Sequence, residues 1–129
     1  MTHLKVAYTG KEAHASAYPF LGVNAADALV VAQTAIGLHR QHLRPSDRVH
    51  GIVTKGGDAA NIIPAHTTAD WMVRAADLEQ LEEVRAKVAR SFEAGALATG
   101  ATLELSEDCL LYTSPSPRDL STSRMPSSA

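Results

Sequence analysis

The chain has 129 residues, 45% of them hydrophobic, which suffices for one domain with a packed core. Twelve basic and fourteen acidic residues give a formal net charge of −2, so there is no electrostatic footprint for nucleic acid or an anionic membrane. No apolar run reaches the ~18–20 residues of a membrane span, and the opening MTHLKVAYTG lacks the basic-then-apolar pattern of a signal segment. A single cysteine, Cys109, excludes a disulfide framework and a zinc site of the CxxC type.

In chain order, Leu4, Val6 and Tyr8 alternate with Lys5, Ala7 and Thr9 and predict a strand closed by Gly10. GKEAHASAYP reads as a loop broken by Pro19. Asn24 is a candidate N-cap, with Asp27 three residues on. Ala25, Ala28, Leu29, Ala32, Ile36 and Leu43 then form one stripe of a helix running to about Leu43. Val49, Gly51 and Val53 alternate with His50, Ile52 and Thr54 as a second strand, and Lys55-Gly56-Gly57-Asp58 signals a turn. A third strand is expected over roughly 66–75, with Ala69, Trp71 and Val73 on one face and Asp70, Met72 and Arg74 on the other. Asp77 and Gln80 read as a capping pair before an amphipathic helix marked by Leu78, Leu81, Val84, Val88 and Phe92, ending near Ala98 with Gly100 beyond it. Ala101, Leu103 and Leu105 predict a fourth strand.

Strand, helix, strand, strand, helix, strand is the split βαβ order. The fold class expected is α+β: a ferredoxin-like βαββαβ two-layer sandwich, a four-stranded antiparallel sheet with both helices on one face. Composition shifts near residue 108. Residues 109–129, CLLYTSPSPRDLSTSRMPSSA, hold six Ser, three Pro and two Thr, which argues against packed structure. Back-translated, this segment resembles a sequencing adapter read through in frame. The expected division is a domain over 1–108 and a disordered, non-native tail over 109–129.

Few residues suggest chemistry by spacing alone. His39 and His42 lie three apart on a helix without a visible third ligand, so no metal site is expected within the chain. GxSxG, P-loop and GxGxxG motifs are absent. Ser16 lies two residues from His14, a spacing that disfavours a nucleophile–base pair. His14 sits in a small-residue loop between strand and helix, where an imidazole can donate to a carbonyl oxyanion or simply face water. Asn61, just before Ile62-Ile63-Pro64, and Arg74 together suit a carboxylate. Read without further information, Asn61 is a turn residue and Arg74 pairs with Asp70.

The strings GKEAHASAYPFLGVNAADA, RVHGIVTKGG and NIIPAHTTADWMVRA, in this order, change that balance. Together they resemble the dimerisation, or lid, domain of the zinc amidohydrolase family that includes aminoacylases, carboxypeptidase G and indoleacetyl-amino-acid hydrolases. RVHGIVTKGG and FEAGALATGA are most similar to the branch of aminobenzoyl-glutamate utilisation protein B and the β-alanyl-lysine dipeptidases. The resemblance covers essentially all of residues 1–108. It implies that His14 reaches into an active site, commonly the partner subunit's, and helps stabilise a tetrahedral oxyanion. It also implies that Asn61 and Arg74 hold the substrate's carboxylate. The implied cofactor is zinc, held in a separate catalytic domain and not by this chain. The implied partners are that catalytic domain, a second copy in a homodimer and a small amide substrate, with neither nucleic acid nor membrane. The expectation is a lid fragment of a cytoplasmic amidohydrolase or dipeptidase, inactive alone. The alternative is a free-standing ferredoxin-like ligand-binding or regulatory module.

Overall fold

A computed structural model describes residues 1–109 of the chain. Its elements are β1 (Thr2–Thr9), α1 (Ala25–His39), β2 (Arg48–Lys55), β3 (His66–Arg74), α2 (Leu78–Thr99) and β4 (Thr102–Cys109). Short 3₁₀ turns occupy Pro19–Leu21 and Arg40–His42. The four strands form one sheet in the order β2-β3-β1-β4, and every neighbouring pair is antiparallel. This is the ferredoxin-like sandwich that the element order predicts.

Period-two burial explains the two central strands. Leu4, Val6 and Tyr8 of β1 and Ala69, Trp71 and Val73 of β3 are buried beneath the helices, while their alternates face the open side. In register, His3 stands between Met72 and Asp108, and Lys5 between Asp70 and Ser106. From above, α1 contributes Ala28, Leu29, Ala32 and Ile36, and α2 contributes Leu81, Val84, Val88 and Phe92. Trp71 meets Phe92 edge-on, with centroids 5.9 Å apart, a favoured aromatic geometry. The Tyr8 hydroxyl donates to the Phe92 carbonyl at 2.5 Å, so the buried phenol is satisfied.

Three details differ from expectation. Helix α1 stops at His39 rather than near Leu43, and its final turn tightens into the 3₁₀ segment. Pro45 disfavours helical backbone at Arg44, and the buried Asp47 carboxylate accepts the Arg44 N–H at 3.0 Å, which fixes a turn there instead. The capping pair of α2 is half made. Asp77 accepts the Gln80 N–H at 2.8 Å, but the Gln80 side-chain oxygen is buried without a partner. Strand β4 carries on through Cys109, which stands opposite Thr2. Residues 110–129, the rest of the segment expected to be a tail, lie outside the described residues.

Candidate functional site

His14 and Asn61 come together, although 47 positions separate them in sequence. The β1–α1 loop and the β2–β3 connection cross as a short antiparallel bridge, His14 opposite Ile62. The Ala15 N–H donates to the Asn61 carbonyl, and the Ile63 N–H donates to the Ala13 carbonyl, both at 2.9 Å. Lys11 and Val23 exchange a second pair of 2.9 Å bonds that closes the base of the loop. Gly10 makes this closure possible. A Cβ there would lie 2.1 Å from the Val23 carbonyl oxygen, closer than any side chain allows. Its own N–H donates to the Ala65 carbonyl at 2.7 Å, tying the loop to the start of β3.

The loop then makes one helical turn. The Tyr18 N–H donates to the His14 carbonyl at 3.0 Å. The His14 ring turns back onto that turn, and its Nδ1 lies 3.3 Å from the Ser16 and Ala17 backbone nitrogens and 3.2 Å from the Ser16 hydroxyl. The ring is exposed. A Ser–His nucleophile pair does not fit this geometry. The Nδ1 lone pair is shared with two amide donors, and among the described residues no carboxylate orients the other ring nitrogen.

Arg74 stands apart. It is the last residue of β3, while Asn61 lies before the first, His66. Eight residue steps of extended chain separate the ends of β3 by about 26 Å. The pairing of Asn61 with Arg74 suggested by their chemistry is therefore not made within one chain. The alternative ion pair of Arg74 with Asp70 is also absent among the described residues. Four steps along a strand, about 13 Å, exceed the reach of the two side chains. Arg74 is exposed and stands in register opposite Arg48.

Among the described residues, neither end forms a closed cleft. The shallow surface depressions are lined by Thr2, Leu81, Arg85 and Glu107, and by Arg40, Arg44, Arg48 and His50. Both lie toward the Arg74 end, and neither includes His14 or Asn61. Among the described residues, no group of three or more His, Cys, Asp or Glu could hold a metal ion. Among the described residues there is thus no ligand set for a zinc ion. His39 and His42 close α1 and the 3₁₀ turn. Burial, with Lys87, Arg90 and His42 nearby, pulls the His39 pKa below the ordinary histidine value.

The helices on one face and the sheet order agree with the family comparison. The model of the peptidase dimerisation domain matches residues 1–99. The chain belongs to this family. Mouse (Mus musculus) Xaa-Arg dipeptidase is 42% identical over 107 residues, which make up 83% of this chain and 25% of that protein. A p-aminobenzoyl-glutamate hydrolase polypeptide from Escherichia coli (strain K12) is 31% identical over 98 residues, or 75% of this chain and 20% of that protein. Among solved structures, an aminobenzoyl-glutamate utilization protein from Klebsiella pneumoniae superposes with a TM-score of 0.72 at 25% identity, covering 82% of this chain and 27% of that one. The chain thus spans about a quarter of the length of the relatives it matches. Those relatives are hydrolases. No helix among the described residues is long and apolar enough to cross a membrane.

Ala17 is the residue of this site that spacing does not single out, and spacing raises Ser16 only as a nucleophile, not as a donor that holds the His14 ring. The available signal was the short Ala-His-Ala-Ser-Ala run before Tyr18-Pro19, which permits a tight turn with His14 at its head.

Proposed function

We propose that this chain is the lid and dimerisation domain of a hydrolase that cleaves amide bonds of N-acyl amino acids or dipeptides, and that two copies share each active site. The observation that carries this is the loop bridge: it presents His14 and Asn61 together, exposed, at one end of the sheet, with Arg74 at the other. An exposed pair without a cleft needs another surface to enclose a substrate. In this reading an imidazole N–H of His14 donates to the carbonyl oxygen as it gains charge, the role of an oxyanion-hole donor. Asn61 and Arg74 bind a substrate carboxylate through an amide and a forked guanidinium. The resemblance assigns zinc to a separate catalytic domain, and no step of this reading runs through it.

The sheet edges support a dimer of one geometry. β4 carries Glu104, Glu107 and Asp108, charges that protect an edge. β2 instead exposes Ile52 at 65% and Val53 at 43%. Above the same edge, Arg40 of the 3₁₀ turn donates to the Val49 carbonyl at 2.7 Å. Helix α1 adds exposed Val30 and Leu38. An antiparallel β2–β2 contact about a two-fold axis sets the Arg48 end of one strand beside the Lys55 end of the other. It brings Arg74 to the same end as His14 and Asn61 of the partner subunit, with β3 of one subunit three strand spacings, about 14 Å, from β3 of the other.

The test is a graft of residues 1–109 in place of the matching quarter of mouse Xaa-Arg dipeptidase. His14→Ala in the active graft should lower kcat about 100-fold, the scale of a lost oxyanion donor. Arg74→Ala should chiefly raise KM for substrates with a free carboxylate. Co-assembling the two variants should restore one intact site in each mixed dimer. Failure of mixing to restore activity would refute sharing between subunits, and an unchanged kcat in His14→Ala would remove the oxyanion role.

A further inference from the structure

We infer that the turn following His14 locks its ring in a single neutral tautomer, with the proton on Nε2. A backbone N–H can only donate a hydrogen bond. The Ser16 and Ala17 amides both point at His14 Nδ1, at 3.3 Å each. Nδ1 must then carry a lone pair and no proton. The Ser16 hydroxyl, 3.2 Å from the same nitrogen, donates as well.

The pattern is that of an N-cap. His14 heads the turn closed by the Tyr18 N–H on its carbonyl. Its side chain accepts from the residues two and three positions on, as Asn24 does for Ala26 and Asp27 at the start of α1. A histidine can cap only with an unprotonated ring nitrogen, and the bond made by one ring nitrogen sets the state of the other. The consequence is an imidazole whose Nε2–H has no protein partner among the described residues and is free to donate. Ser16 and Ala17 are positioning residues for that donor. The lock also rules His14 out as a proton acceptor through Nε2, because that nitrogen already holds its proton.

Only the catalytic significance of the locked ring rests on the proposed role of His14. The tautomer itself is measurable without substrate. The ¹⁵N-labelled 129-residue chain is observed at about pH 8.5, where free imidazoles are neutral and interchange both tautomers. His42 is exposed and its ring accepts no hydrogen bond among the described residues, so it serves as the internal reference. His14 should show the two-bond N–H correlation pattern of a ring protonated wholly at Nε2, with Nδ1 shifted further toward the unprotonated limit than in His42. A His14 pattern averaged like that of His42, or one with the proton on Nδ1, overturns the inference. Ser16→Ala removes the hydroxyl and leaves both amides, so the locked pattern should persist. Its loss would show that the hydroxyl, not the turn's backbone, sets the tautomer. A locked ring together with an unimpaired His14→Ala graft would sink the catalytic reading alone. An averaged ring with an impaired graft would sink the tautomer alone.

Discussion

At the scale of single residues, most of the chemistry depends on close approach. Gly51 stands opposite Trp71 on the helix-facing side of β2 and β3. A Cβ at Gly51 would lie 2.3 Å from the indole, so the ring lies across the space a side chain would fill. Gly51→Ala should therefore cost about 1–3 kcal/mol, the range for overpacking, measured as a lower urea midpoint at unchanged slope. Loss of less than a few tenths would mean that the indole swings aside freely. His39 gives a pH dependence. Burial first, then Lys87, Arg90 and His42, hold its folded pKa below the unfolded value. As pH falls through the ordinary histidine range, the unfolded chain binds the proton more readily than the folded chain. Stability is thus complete above that range and declines below it. Thermal melts of His39→Gln should decline less than wild type between about pH 7.5 and about pH 5.5. Parallel curves for the two proteins would assign the loss to other groups.

At the scale of elements, capping decides where the helices begin. The Asn24 side chain accepts two N–H bonds, at 2.9 and 3.0 Å. The N–H of Ala25 donates to the Pro64 carbonyl, so the same point anchors the β2–β3 connection. Asn24→Ala should cost about 1 kcal/mol, read from chemical unfolding, while Asn24→Asp should be nearly neutral. Both caps were legible because Asn and Asp before an apolar 3.6-residue period have a local cause. The end of α1 was less legible. The stripe from Ala25 continues to Leu43, and the chain turns first because Pro45 disfavours helix at Arg44 and the Asp47 carboxylate folds back on the Arg44 N–H. At the other end of the molecule, Gly100 closes α2 at φ +84, as its place after the apolar period suggests.

At the scale of the whole molecule, the edge strands differ in a way that predicts assembly. The proposed dimer pairs β2 with β2, where Ile52 is exposed on the open face of the sheet and Val53 on the helix-facing side. Ile52→Lys should shift the chain from dimer to monomer in sedimentation equilibrium with its circular dichroism unchanged, since Ile52 lies outside the buried core. Glu104→Lys, on the opposite edge, should leave the dimer intact. A wild-type chain that sediments as a monomer at tens of micromolar would remove β2 as a self-sufficient interface.

The βαββαβ order, the two caps and most of the buried positions follow from the sequence alone, because each depends on neighbours within a few positions: period two for strands, period 3.6 for helices, and a polar acceptor before the first turn. Leu78 and Val53, which the same periods place on the apolar sides, are exposed. His14, Asn61 and Arg74 could be named from motifs, but their grouping could not. That His14 meets Asn61 depends on a Gly10 close approach and on backbone bonds between two loops far apart in sequence. That Arg74 stands at the opposite end depends on β3 being extended between them. Only the tertiary structure decided which residues share an end of the sheet, because hydrogen bonds between distant segments, not local pattern, set that distance.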